Sequence, residues 1–337
     1  MNFDVIIVGA GIAGLFAARE LEKDFNVAVF EKKASVGSYG NRIVNSEVFK
    51  KLKVSMDCMV NPIDSITFIS PSGICMDAGR RNRGYVIDKR MVEKEIYEQL
   101  QNTKVFLNYT VRSLNLKKNE VKTGNGHSKF KFLLAADGAQ SPIRSRISKE
   151  TPVLIKCYYE VFKRGDEKTT CVISNTHTPG FYGWSIDMGD TVEIGMGSFE
   201  NPTNYFKSFL KSFFPAKRDV IKKRFGLLAR SAIKKSVYGN CIFIGDSSGG
   251  EPLMGSSIHK AIDEAKLASE VILNENPPES YEELWKGRFS KEFEFESIVR
   301  KKLDRMKDED IDLFFRKKRK LKSEGLVTGL FKDLINQ

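Results

Sequence analysis

Phe3-Asp4-Val5-Ile6-Ile7-Val8 is a short apolar run rich in β-branched residues, the pattern of a strand covered on both faces. Glycines at 9, 11 and 14 punctuate its end. Ile12 to Glu22 then repeats apolar residues at helical spacing, with Leu15, Ala18 and Leu21 on one face. Asn26–Phe30 predicts a second buried strand, closed by Glu31, so the chain opens with a βαβ unit. Turns are predicted at Ser35–Gly40, Asn61-Pro62 and Ser70–Gly73, a helix over Lys89–Leu100 and a strand over Val105–Leu114. Phe130–Ala136 reads as another buried strand, stopping at Asp137-Gly138. From Pro152 the texture changes to strands over Leu154–Val161, Thr169–Ser174, Gly180–Met188 and Thr191–Ser198. Short turns between them imply an antiparallel sheet inserted into the first domain. A helix over Asn204–Phe214, a buried strand over Cys241–Ile244 ending at Gly245-Asp246, a helix over Ser256–Leu273 and a charged helical tail after Pro278 complete the reading.

A length of 337 residues with 41% hydrophobic positions accommodates two domains with substantial cores. No apolar window is long enough to span a bilayer, and the amino terminus runs straight into a strand, so a cytoplasmic protein without a cleaved signal is expected. The five cysteines are scattered and contain no CxxC pair, and the three histidines have no ligand spacing; no metal site is expected. The net charge of +12 favours anionic partners, among them phosphorylated cofactors, nucleic acid and acidic lipid headgroups.

The first chemical signal lies in Gly9-Ala10-Gly11-Ile12-Ala13-Gly14, a GxGxxG segment between a predicted strand and helix. Its first glycine permits a tight turn, its second lets backbone approach a pyrophosphate, and its third lets helix and strand pack closely. The helix amino terminus supplies unpaired N–H groups and partial positive charge for phosphates. Glu31 can accept hydrogen bonds from both ribose hydroxyls while repelling a 2′-phosphate, which suits the AMP half of FAD or NAD rather than NADP.

Two later segments favour FAD. Ala135-Ala136-Asp137-Gly138-Ala139-Gln140-Ser141-Pro142-Ile143-Arg144 resembles the "ADG–S–R" segment of flavoprotein hydroxylases and reductases. Ile244-Gly245-Asp246-Ser247-Ser248-Gly249, continuing through Pro252 and Gly255, resembles their "GD" segment. Asp246 at a strand end can bind flavin ribityl or ribose hydroxyls. The amino terminus of the next helix, near Gly255–Ile258, can face the flavin N1/C2 carbonyl. Over residues 1–275 the sequence is similar to p-hydroxybenzoate-hydroxylase-type flavoproteins and, within them, to the geranylgeranyl reductase family, including archaeal digeranylgeranylglycerophospholipid reductases. Pro179-Gly180-Phe181-Tyr182-Gly183-Trp184 carries the narrower likeness, resembling the family's "G-x-x-Y-x-W-x-F-P" motif. Departures are Ile186-Asp187 in place of Phe-Pro, the loop Gly37–Ile43 without the family cysteine, Lys89 at the usual arginine, and Ser256-Ser257 in place of glycines.

The resemblance implies a Rossmann-like α/β FAD-binding domain over 1–150 and 236–275, an antiparallel-sheet substrate domain over 151–235, and a basic helical region over 276–337. It places Gly9, Gly11, Ile12, Ala13, Gly14, Glu31, Lys32, Arg42, Lys89, Val111, Asp137, Gly138, Gly245, Asp246, Gly255, Ser256, Ser257 and Ile258 around FAD, with Val111 contacting adenine through its backbone and Arg42 near the flavin. The implied reaction saturates isoprenoid C=C bonds by hydride from reduced flavin, the alternative being monooxygenation of an apolar or aromatic substrate. Tyr182 and Trp184 would wall an apolar substrate channel, and Tyr182 and His259 are the candidate proton donors. No second GxGxxG is present, so the electron donor, NAD(P)H or ferredoxin, is external. Arg316-Lys317-Lys318-Arg319-Lys320 beside the apolar positions Ile311–Phe315, Leu326, Leu330, Leu334 and Ile335 suits either an anionic membrane surface or packing on the body; nucleic-acid binding is not expected.

Overall fold

A computed structural model describes residues 1–38, 40–77, 84–148, 150–163, 165, 168–255, 258–319 and 331. The chain forms two compact units. The first contains Met1–Cys58, Ile87–Val153 and Ala229–Phe293, and the second Met59–Val86, Leu154–Leu228 and Glu294–Gln337. In chain order the elements begin with β1 (Val5–Val8), α1 (Ile12–Leu21), β2 (Val27–Glu31), β3 (Asn41–Asn45) and α2 (Ser46–Leu52). There follow β4 (Met59–Ile63), β5 (Thr67–Ile69), β6 (Cys75–Asp77), β7 (Gly84–Asp88), α3 (Lys89–Gln99) and β8 (Lys104–Leu107). Next come β9 (Ser113–Asn115), β10 (Glu120–Thr123), β11 (Gly126–Lys129), β12 (Phe132–Ala135) and α4 (Pro142–Ile147). The middle of the chain gives β13 (Leu154–Lys163), β14 (Thr170–Val172), β15 (Gly183–Asp187), β16 (Thr191–Ser198), α5 (Thr203–Phe213) and β17 (Val220–Ala229). The last elements are β18 (Val237–Tyr238), β19 (Cys241–Phe243), α6 (Ile258–Leu273), α7 (Ser280–Arg305) and α8 (Asp308–Arg319).

In the first unit a six-stranded sheet runs β18-β19-β12-β1-β2-β8. All its pairs are parallel except β18 with β19. The central strands are buried on both faces, as their uninterrupted apolar sequences require, and α1 packs against α3 and α6. β9, β10 and β11 make a separate antiparallel sheet.

The second unit is built on a seven-stranded sheet, β17-β13-β16-β15-β14-β5-β6. Strand alternation sorts its two faces. Tyr158, Phe162, Val192, Ile194 and Met196 lie under Phe206 and Phe209 of α5. Glu193, Gly195 and Gly197 of β16 alternate with them toward the opposite face. There a Cβ on Gly195 would meet the Trp184 ring at 2.4 Å and one on Gly197 the Phe181 ring at 2.4 Å.

The grouping differs from the expected segmentation at three places. The described residues of 59–86 and 294–337 group with the seven-stranded sheet, which is mixed rather than wholly antiparallel because β5 pairs parallel with β14, and α8 packs on β6; residues 276–293 group with the first unit. Asn61-Pro62, expected as a turn, lies inside β4, an edge strand where a missing N–H leaves no ladder donor unpaired. The strand expected over Val105–Leu114 breaks at Asn108, whose φ of 59° turns the chain while its N–H bonds Lys33 O at 2.9 Å. β17 was not foreseen: as an exposed edge strand it carries no buried alternation to read.

Candidate cofactor-binding site

The carboxyl ends of β1, β2 and β12 open into a cleft of ≈ 260 Å³ whose lining includes Gly9–Gly11, Glu31–Lys33, Tyr109–Val111 and Ala136–Gly138. Gly9 makes the turn with φ +107°, and its N–H donates to Phe30 O at 2.9 Å. A Cβ on Gly14 would sit 2.0 Å from Gly9 O, whereas one on Gly11 would find only Glu93 Oε1, at 3.7 Å, among protein atoms. Gly11 caps α1 without a side-chain hydrogen bond, and no acid lies in the first turn, so the leading amides of α1 face the cleft electrostatically positive. Ile12 and Ala13 are buried behind them.

Glu31 Oε2 accepts from Ala10 N–H at 2.8 Å and Oε1 from Lys33 N–H at 2.9 Å, which holds the carboxylate at the cleft rim. Lys32, Lys89, Val111, Asp137 and Gly138 also line the cleft. Tyr109 N–H bonds Glu31 O at 2.8 Å and thereby carries Tyr109–Val111 across it. The Asp137 carboxylate is turned inward: it accepts from Ser141 Oγ at 2.6 Å and Ile143 N–H at 2.9 Å. Burial raises its pKa, an effect those hydrogen bonds and Arg144 oppose. Asp137 thus shapes the loop, while Gly138, with φ +84°, leaves the cleft wall free of a side chain.

Two groups that sequence reading did not single out, together with Arg144 of the segment after β12, hold this geometry. Glu93 on α3 is 1% exposed and accepts from Ser38 N–H at 2.5 Å and Ser38 Oγ at 2.7 Å, with Lys89 Nζ at 3.4 Å. The pair fixes the loop that borders the cleft beside Gly11. Arg144, also buried, donates to Ala139 O at 2.6 Å and to Ser247 O, joining the loop after β12 to the loop after β19. Lys260 and Glu264 on α6 form a fully buried ion pair at 2.7 Å, their side chains 2% and 0% exposed. Glu264 accepts from Gly245 N–H, Ser248 Oγ and Trp285 Nε1 at 2.7, 2.7 and 2.6 Å, and Lys260 donates to Ser248 Oγ at 2.6 Å. A buried acid four residues after a buried cation on an apolar helix face was the available signal; charges on a helix ordinarily read as a solvated face.

The clamp positions the Gly245-Asp246 loop. Gly245, with φ +65°, packs on Ala13, so this loop rests directly on α1. Asp246 is half-buried, and among the described residues no hydrogen bond to its carboxylate is made. Gly255 and Ile258 follow at the start of α6; Ser256 and Ser257 lie outside the described residues. His259 Nε2 is 2.5 Å from Glu251 Oε1. Burial alone would lower the His259 pKa, but Glu251, with Glu292 and Asp263, outweighs it and raises it. Arg42 is exposed on β3 and does not line the cleft. In the second unit Tyr182 stacks on Phe181 at 4.2 Å between centroids, and Trp184 Nε1 donates to the buried Glu193 at 3.0 Å. Tyr182 and Trp184 therefore stand together on the aromatic face of the seven-stranded sheet.

The cleft has the clearance at Gly11, the uncapped helix start and the ribose-level carboxylate that an adenine dinucleotide requires. The Gly245-Asp246 loop rests on Ala13 of α1, whose start faces this cleft. Fold and site together define an FAD-dependent oxidoreductase, and residues 4–52 match the family described as FAD dependent oxidoreductase. Within that class the chain is related over nearly its whole length to the digeranylgeranylglycerophospholipid reductases. It is 23% identical to reductase 1 of Methanococcoides burtonii, over 92% of this chain and 86% of that protein. It is 23% identical to the Methanosarcina acetivorans enzyme over 98% and 93%. Its fold matches the crystal structure of a geranylgeranyl bacteriochlorophyll reductase-like protein from Thermoplasma acidophilum, with a TM-score of 0.87, 19% identity, and coverage of 99% and 96%. Among the described residues no helix is long and apolar enough to cross a membrane, and no group of three or more His, Cys, Asp or Glu could hold a metal ion.

Proposed function

We propose that this protein is an FAD-dependent reductase that saturates C=C bonds in geranylgeranyl or related isoprenoid chains of membrane lipids, accepting electrons from an external donor. The observation that carries the reading is the cleft beside Gly11, walled by Glu31 and Val111, in a chain related throughout to prenyl-lipid reductases. Gly9–Gly14 and the amides of α1 would hold the FAD pyrophosphate, Glu31 the ribose, Tyr109–Val111 the adenine, and Asp246 the ribityl chain. Bound FAD supplies two-electron hydride chemistry, which an unpolarised alkene needs because it offers no charge for an acid or base to act on.

The protein's own contribution is positioning. The Lys260–Glu264 pair fixes the backbone of the Gly245–Gly249 loop, and Arg144 ties that loop to Ala139. Tyr182 and Trp184, half-buried and packed edge to face at 6.0 Å, would wall an isoprenoid chain, with Gly195 leaving room for the Trp184 ring and Phe181 buried behind Tyr182. His259, its imidazolium favoured by Glu251, can hold a proton near the start of α6, and Tyr182 is the other proton-bearing candidate.

Purified protein, its flavin reduced with dithionite under anaerobic conditions, should be reoxidised by a geranylgeranyl lipid with a product heavier by multiples of two hydrogens. Substrate-stimulated oxygen consumption with an unreduced, oxygenated product would assign it to the monooxygenases instead.

A further inference from the structure

Most apolar positions of the charged tail that lie within the described residues are covered, Leu313 being the exposed one; Leu326, Leu330, Leu334 and Ile335 lie outside the described residues. Ile311, Phe314 and Phe315 of α8 are buried, and Phe314 stacks on Phe331. A different surface combines exposed apolar side chains with cations. β17 is an outer strand of the seven-stranded sheet, and seven of the nine residues Val220–Leu228 are exposed. Phe225 is 70% exposed and Ile221 55%, with Val220 and Leu227 also open. The segment Lys217–Arg224 contains Lys217, Arg218, Lys222, Lys223 and Arg224 against the single acid Asp219.

Side-chain contacts set the faces. Phe225 meets Tyr158 with centroids 4.7 Å apart and Lys223 pairs with Glu160 at 3.2 Å, while a Cβ on Gly226 would approach Cys157 at 3.8 Å. Alternation then puts Ile221, Lys223, Phe225 and Leu227 on the α5 side, and Lys222 and Arg224 on the side that carries Trp184. Lysines on an edge strand guard it against pairing with other strands, but exposed Phe225 and Ile221 on the same edge do the opposite. A second copy paired antiparallel about Lys223 would bring two Lys222-Lys223-Arg224 blocks to within about 5 Å, where like charges oppose association. An anionic surface suits both features at once: phosphates meet the cations, and Phe225 and Ile221 enter the headgroup boundary.

We propose that β17, with the cations from Lys217 to Arg224, is an interfacial docking edge for an anionic lipid membrane. The proposal rests on the prenyl-lipid reading for its purpose. Through β13 and β16 it places the membrane three strand spacings, about 14 Å, from the β15 strand that carries Trp184.

The test uses the full-length flavin-loaded protein and sedimentation with phosphatidylcholine vesicles, with and without phosphatidylglycerol. Binding is expected only with phosphatidylglycerol. Lys222→Ser with Arg224→Ser should weaken it about 30-fold, at roughly tenfold or less per cation, and Phe225→Ser about tenfold. A control with the same charge loss on the first unit, Lys117→Ser with Lys118→Ser, should bind as wild type. Equal loss in the control, full binding by Phe225→Ser, equal binding to uncharged vesicles, or a wild-type dimer that Phe225→Ser makes monomeric would each overturn the proposal. Reduction of a detergent-dispersed prenyl substrate reports separately. If it is absent in wild type the prenyl reading fails while vesicle binding can stand; if it is present without vesicle binding, the docking edge alone fails.

Discussion

Alanine placed at two glycines only three residues apart should have opposite consequences. A Cβ at Gly14 lands 2.0 Å from Gly9 O and 3.2 Å from Ile7 Cγ2, and the first of these is backbone held by the β1–α1 turn. Neither atom can yield without displacing α1 from the sheet. Overpacking of this kind costs about 3 kcal/mol or more, which at roughly 2–4 °C per kcal/mol lowers the melting temperature by about 6–12 °C. A Cβ at Gly11 meets only Glu93 Oε1 at 3.7 Å, an ordinary contact, and the residue's φ of −84° and ψ of −179° suit alanine. Apoprotein stability should therefore change by less than about 0.5 kcal/mol. The methyl would, however, stand where the pyrophosphate must approach the backbone. Loss of one or two charge-assisted phosphate bonds, about 3 kcal/mol together, weakens FAD binding about 100-fold. Thermal unfolding of both apoproteins and titration of each with FAD, followed by flavin fluorescence, separate the two effects. Wild-type FAD affinity in Gly11→Ala, or an unchanged melting temperature in Gly14→Ala, would refute the reasoning.

Lys260→Met leaves Glu264 charged and buried with one partner fewer, so it should destabilise the protein by about 3–5 kcal/mol; Lys260→Met with Glu264→Leu should recover part of that loss in denaturant unfolding. Because Glu251 raises the His259 pKa, Glu251→Gln should move the His259 titration to lower pH, read from its imidazole proton resonances. The stability that this pair contributes is present below the unfolded histidine pKa of about 6.5 while Glu251 stays ionised, is lost as pH rises through the folded histidine value, and is lost again in acid, where burial has raised the Glu251 pKa; a wild-type-minus-variant difference that grows as pH rises above that unfolded value would contradict the assignment. Burial, then the carboxylate of Glu95 at 3.2 Å, pushes the Cys58 thiol up to about 12, and Cys171 and Cys241 are raised further by burial. Native alkylation near neutral pH should thus label exposed Cys75 and spare those three, as mass spectrometry of peptides would show.

The βαβ opening, the flavin-type loops and the antiparallel sheet were legible in the chain because each rests on local signals. An apolar run without alternation marks a strand covered on both faces, glycine at fixed spacing marks a backbone that must turn or be approached, and alternation marks a sheet covered on each face by different partners. Glu31 was legible for the same reason: a carboxylate at the end of the second strand has one place to go. The supports of the site were not. Lys260, Glu264 and Glu93 are charged residues that sequence assigns to solvent, and only the packing of α1, α3 and α6 around the sheet encloses them with the loop groups they satisfy. β17 shows the converse, apolar residues that a local reading would bury but that sheet order leaves on an edge. Short-range pattern thus determined most of the elements and the glycine turn that ends β1. Which charges are buried, which apolar residues stay open and how residues 59–86 join the seven-stranded sheet were decided by contacts between segments distant in sequence, and those exist only once the chain has folded.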